Sequence, residues 1–237
     1  MDFSQNLILL VFDTETTGLS SRSGNRVVDL AVQALLWDAR SQALEVSESA
    51  QWYFNPQRAS EPGAARVHRL SQKFLHSQPP AKEQMPKIIK WIRGSFTGRV
   101  GAARGIDIWL VAHNAIFDVG FVNSEMQHVG LPGTFVRKAW ASGVLCTRRL
   151  FQTAVPTADR YSQNALCEWA DVDTSTRRNA KGEEVHGALA DCRLLACALQ
   201  QMHQRLGTER FAAACRRSLL DAVSVATLDS KKYPAFA

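Results

Sequence analysis

The chain has 237 residues, 46% hydrophobic and 21% charged, which suits one domain with a sizeable core and argues against a disordered or fibrous protein. Lys and Arg number 28 against 22 Asp and Glu, and the resulting formal charge of +6 favours a polyanionic partner such as nucleic acid. Five cysteines, odd in number and without a C-x-x-C pair, fit reduced thiols rather than a disulfide framework.

The first apolar run, Leu7–Phe12, is too short to span a bilayer, and no charged leader precedes it. A soluble, cytoplasmic protein with no membrane partner is therefore expected. Residues 7–13 read as a buried strand closed by Thr-Thr-Gly. Val27–Trp37 and Leu44–Phe54 read as two further strands of an antiparallel meander, joined by a polar turn near Asp38–Gln42. Met85, Ile88, Ile89 and Ile92 give Pro80–Arg93 helical spacing.

Ile108–Ala112 reads as a short strand, followed by Asn114 as N-cap of a helix to about Val129, with Gly130 and Pro132 as its stop. Val144–Cys146 is a further strand candidate, and Gln163–Ala170 a short helix. A polar loop, Asp171–Glu184, leads to a last strong helix from about Gly187 with an apolar stripe at Leu195, Leu199, Met202 and Leu206. Beyond it lie a basic amphipathic stretch, Phe211–Leu220, and a polar tail. The expected organisation is an α/β domain over residues 1–206 and a C-terminal basic helix and tail over 207–237.

Asp13 and Glu15, two apart on a strand, project to one face. Two adjacent carboxylates repel, and a divalent cation resolves the conflict because hard cations prefer carboxylate oxygens; a strand end with both acids hydrated is the plain alternative. Asp118 shares a helical face with Phe121 and Val122, and Asp191 precedes Leu195 by four, so both should point inward. Two histidines stand five residues ahead of these acids, His113 before Asp118 and His186 before Asp191. Spacing alone does not say which could act as a base. His113 follows a buried strand, which suits packing, whereas His186 follows a polar loop, which suits contact with solvent and substrate.

"FDTETTGL", "HNAIFDVGFV" and "HGALADCRLLA", in that order, resemble the three motifs of the DnaQ-like, or DEDDh, 3′→5′ exonucleases. The likeness runs from about Leu7 to Leu199 and includes "RVHRLS" and "NALCEWADV". Within the family it is nearest to the epsilon proofreading subunits of bacterial DNA polymerase III. The resemblance implies a ribonuclease H-like fold, a five-stranded mixed sheet with helices on both faces. It also implies that Asp13, Glu15, Asp118 and Asp191 ligate two divalent ions, Mg²⁺ or Mn²⁺, and that His186, not His113, is the general base. Thr16, Thr17, Gly18 and Leu19 would contact the terminal nucleotide. Arg177, Arg178 and Lys181 could meet phosphates.

The implied activity removes nucleoside 5′-monophosphates from DNA 3′ ends, most simply from single strands, in proofreading or repair. A DNA polymerase subunit is a further implied partner. Trimming of RNA 3′ ends by the same site, or a catalytically idle polymerase-binding subunit, are the alternatives. A phosphatase with a strand-end Asp nucleophile typically wants Asp-x-Asp, which Glu15 does not supply. Two departures set the chain apart from the replicative subunit. Cys146-Thr147 stands where many relatives have an acid before the threonine, and Ser162-Gln163-Asn164 stands where a serine-leucine-aspartate run is common. Neither is expected to touch the metal core.

Overall fold

Strand β1 (Leu7–Thr16) lies in the middle of the sheet and is buried on both faces, which is why its sequence is an unbroken apolar run rather than an alternating one. The computed structural model describes residues 1–100, 106–139, 141–177 and 186–220, the side chains of 97–100 excepted. β1 pairs antiparallel with β2 (Val27–Asp38), which pairs antiparallel with β3 (Ala43–Tyr53), completing the expected meander. On its other edge β1 runs parallel to β4 (Asp107–Ala112), and β4 parallel to β5 (Gly143–Cys146).

β1 continues three residues past its predicted end. Pairing persists through Asp13↔Ala31 and Glu15↔Asp29 and is broken only by a register shift between Glu15 and Thr16. Both acids therefore sit on the rigid, paired strand and not in the loop that follows.

The pleat of β1 divides the core in two. Leu7, Leu9 and Val11 pack with α8 (Ala188–Leu206) and α9 (Thr208–Arg217), while Ile8, Leu10 and Phe12 pack with α3 (Ala81–Val100) and α4 (Ile116–His128). Each fully buried side chain of this size contributes roughly 1.5–3 kcal/mol of transfer free energy. The sheet thus has helices on both faces, as expected.

The strand count differs from expectation: a sixth strand, β6 (Leu219–Leu220), pairs antiparallel with β5. Two residues carry no periodicity, so only the pairing reveals it. Residues 208–220, read from sequence as the start of an appendage, pack into the domain's own core. Phe211 is fully buried and meets Phe3 and His203 edge-on, with ring centroids 5.8 and 5.4 Å apart. Residues 221–237 lie outside the described residues.

Four short helices escaped the sequence reading: α1 (Pro62–His68), α2 (Gln72–His76), α5 (Phe135–Lys138) and α6 (Thr147–Ala154). At four to eight residues each, they hold too few turns to display a 3.6-residue period. α7 (Gln163–Trp169) appears where expected, capped by Ser162. Among the described residues no helix is long and apolar enough to cross a membrane.

Candidate active site

The C-terminal end of β1 opens into a cavity of about 250 Å³. Asp13, Glu15, Asp118, Asp191 and His186 all line it, together with Arg177, His113 and Asn164. Sequence separations of more than a hundred residues are closed by the topology. β1 contributes the first two acids, α4 brings Asp118 from one face of the sheet, and α8 brings Asp191 from the other.

Thr14, between the two strand acids, points to the α4 face and holds Asp118 there. Its backbone N–H and its hydroxyl both donate to Asp118 Oδ1, at 3.0 and 2.8 Å. The predicted N-cap at Asn114 is not observed. Asn114 adopts a left-handed backbone (φ +60°), the position preceding α4 is held by Ala115, and no side chain caps the helix. The tight turn out of β4 needs a positive φ there, which Asn tolerates better than most residues. The predicted stop is observed: Gly130 is left-handed at φ +71°.

The carboxylates sit in a hostile setting for negative charge. Burial, reinforced by Asp118, Asp191 and Glu15, pushes the Asp13 carboxyl well above its ordinary range. Burial and then Asp191 push Glu15 up to about 8. Burial also raises Asp118 to about 7, against the opposing Thr14 bonds. Asp191 has a cation of its own: Arg177, 3% exposed, donates from Nε to Asp191 Oδ1 at 2.5 Å and from its guanidinium to Asn164 Oδ1. Hard oxygen donors crowded until they resist ionisation are a donor set that suits a divalent cation, which would favour their charged forms. Glu15, His186 and Asp191 already bring ligand atoms within 4.8 Å of one another.

The two histidines are distinguished by their surroundings. His113 is pinned between the Tyr161 carbonyl, 3.0 Å from Nε2, and the Thr147 hydroxyl, 3.1 Å from Nδ1. Burial lowers it to about 4, so it stays neutral. The side chain of His186 is 30% exposed and its Nδ1 lies 3.0 Å from Asp191 Oδ2. That hydrogen bond raises its pKa against the opposing effect of burial. With the proton on Nδ1 directed at Asp191, the lone pair resides on Nε2.

The other predicted contacts fall in two groups. Thr16 donates from its hydroxyl to the Gly18 carbonyl (2.7 Å), and the fully buried Thr17 donates to Asn25 Oδ1 (2.9 Å). A Cβ on Gly18 would lie 2.4 Å from Asn25 Nδ2 and 2.5 Å from the Glu61 carboxyl, so a larger residue there would have to displace those side chains. Leu19 projects outward, 70% exposed. Arg178 and Lys181 lie outside the described residues. The Ser162-Gln163-Asn164 departure lines the cavity beside the acids. Gln163 Nε2 donates to the Asp191 carbonyl at 2.9 Å, and Asn164 accepts from Arg177.

A family model described as exonuclease matches residues 10–199. The chain belongs to the exonuclease family. DNA polymerase III subunit epsilon of Rickettsia prowazekii (strain Madrid E) is 30% identical to it over 187 residues, 79% of this chain and 70% of that one. The epsilon subunit of Escherichia coli (strain K12) is 28% identical over 194 residues, 79% of this chain and 68% of that one. Among solved structures, Exonuclease X in complex with 5′ overhanging duplex DNA superposes with a TM-score of 0.53 at 23% identity, covering 87% of this chain and 99% of that one. The nuclease domain of 3′hExo, a DEDDh family member bound to rAMP, gives 0.64 at 14% identity, covering 90% and 96%. At these identities the two superpositions speak to the fold, which is the ribonuclease H-like one expected. Family membership bears out the reading of the chain as a DnaQ-like 3′→5′ exonuclease.

Proposed function

We propose that the protein is a metal-dependent exonuclease that releases nucleoside 5′-monophosphates from DNA 3′ ends, in proofreading or repair in the cytoplasm. The observation that supports it most is the convergence of four acids and a partly exposed histidine on one cavity at the end of β1, within an exonuclease-family domain. The relatives named as polymerase III epsilon subunits, together with the +6 charge, favour DNA and a polymerase partner.

Two divalent ions, Mg²⁺ or Mn²⁺, held by Asp13, Glu15, Asp118 and Asp191, would supply the charge that activates a water and offsets the departing 3′-oxygen. The protein's own groups do the rest. His186 Nε2 takes the water's proton as its oxygen bonds to phosphorus and the bond from phosphorus to the 3′-oxygen breaks. Asp191 holds the imidazole in that tautomer. Thr14 fixes the Asp118 carboxylate, and Arg177 offers a planar guanidinium within the cavity that suits a phosphate. Thr16, Thr17 and Gly18 would act through the shape of the loop they brace, and Leu19 through its exposed side chain.

The direct test incubates the purified protein with 5′-labelled single-stranded DNA, duplex DNA and RNA, each with Mg²⁺, Mn²⁺ or chelator. A metal-requiring ladder shortened from the 3′ end, strongest on DNA, is expected. Preference for RNA would move the substrate assignment, and no shortening of any polymer would overturn the proposal. Replacing His186 with alanine is expected to lower kcat by roughly 10²–10⁴-fold, the usual contribution of a general base, while KM and Mn²⁺ affinity hold. Calorimetric loss of Mn²⁺ binding in that variant would make His186 a ligand instead.

A further inference from the structure

Asp29 is a fifth carboxylate beside the site, and nothing in the chemistry above uses it. It is 1% exposed, lies on β2 directly opposite Glu15, and interrupts an otherwise apolar stretch of that strand. An acid so deeply buried needs partners, and it has two kinds. Gln51 of β3 donates from Nε2 to both carboxylate oxygens, at 3.0 and 2.9 Å. The backbone N–H of Ala188, first residue of α8, donates to Oδ2 at 3.2 Å.

That second bond is unusual in its origin. The N-cap of α8 is Gly187, which has no side chain with which to satisfy the helix's first amides. Asp29 does so from β2, its carboxyl oxygen accepting from the first amide of the helix. The turn it anchors is the one that matters for chemistry: His186 lies two residues before Ala188 and Asp191 three after, with Asp191 N–H donating back to the Gly187 carbonyl at 3.0 Å. On its far side the segment is tied by His186 N–H donating to the Val67 carbonyl at 3.2 Å.

We infer that Asp29 is a positioning residue: held by Gln51, it docks the start of α8 on the sheet and so sets where Asp191 and His186 stand relative to Asp13 and Glu15. The inference deepens the proposed function and rests on it for its catalytic readout alone.

The test compares Asp29→Ala, Asp29→Asn and Gln51→Leu with wild type in full-length protein, at a temperature where each is folded by circular dichroism. Mn²⁺ affinity is read by calorimetry, and kcat and KM on 5′-labelled single-stranded DNA. Asp29→Ala is expected to weaken Mn²⁺ binding and lower kcat, each by about 10–100-fold as for other residues that orient metal ligands, with KM little changed. Asp29→Asn should recover most of both, since its amide oxygen still accepts from Ala188 and the Gln51 amide can turn to match. Gln51→Leu should show a smaller loss in the same direction. If Asp29→Ala only lowered the melting temperature and left kcat and Mn²⁺ affinity intact, the residue would be a plain helix cap and the inference would fail. It would equally fail if Asp29→Asn were as impaired as Asp29→Ala, or, should Asp29→Ala not fold, if Gln51→Leu matched wild type. A wild type inert on every polymer would overturn the proposed function instead, while the Mn²⁺ comparison would still decide the role of Asp29.

Discussion

Asp13→Ala is expected to abolish metal-dependent turnover, lowering kcat by at least about a thousandfold, the scale on which lost electrostatic stabilisation of a transition state is felt. Asp13 is the residue the other three acids press on: its carboxyl is raised by burial first, then by Asp118, Asp191 and Glu15 in turn. A cation among these acids would relieve that crowding. The same geometry predicts that the variant stays folded. β1 keeps its pairing with β2 and β4, and alanine removes a buried carboxyl whose charged form burial and its neighbours disfavour.

In chelator, Asp13→Ala should melt at or above the wild-type temperature, and the rise in melting temperature on adding Mg²⁺ should shrink. A variant that turned over at near wild-type rates would show that the metal site has been misassigned. One that unfolded would show that Asp13 serves the fold. Loss of activity with gain of metal-free stability is the signature of a functional residue held against its preference.

Much of this site was legible in the sequence because its acids sit on long, strongly patterned elements. The apolar run of β1 announced a rigid strand, and the three- and four-residue spacing around Asp118 and Asp191 placed both on inward faces of α4 and α8. What was not legible depends on partners far away in the chain. Asp29, a lone acid inside "VVDLAV", drew no reading of its own, because its role needs Ala188, 159 residues on. Thr14 carries no local signature of its role, since its hydroxyl bonds Asp118 of α4. Asn114 had the composition of a cap, and the turn geometry after β4 overrode it. Phe211 appeared to belong to an appendage because its burial is created by Phe3 and His203, which no local pattern reports.

Without metal, the protein should lose stability as pH rises from about 6.5 to 8, the reverse of ordinary acid denaturation. Burial lifts Glu15 from 4.5 to about 8, Asp118 from 3.8 to about 7 and Asp29 from 3.8 to about 7, and Asp13 moves the same way. Unfolded, these groups ionise below pH 5; folded, Glu15 keeps its proton until about pH 8 and Asp118 and Asp29 until about pH 7, with Asp13 shifted in the same direction. In that interval the folded chain binds more protons than the unfolded one, so the free energy of unfolding falls as pH increases. His186, raised by its bond to Asp191, acts in the same direction.

His113, lowered to about 4, and His68 and His203, also lowered by burial, act in the opposite sense, but only below the ordinary histidine value of 6.5. The carboxylates therefore dominate above it. Melting temperatures in chelator, measured at half-unit steps, should decline through this window. Added Mg²⁺ or Mn²⁺ should raise them most at pH 8, where the acids are most willing to give up their protons, and so flatten the curve. A metal-free melting temperature that stayed level or climbed between pH 6.5 and 8 would mean that burial does not hold Asp13, Glu15 and Asp118 toward their protonated forms. The case for a cation between them would then lose its physical basis.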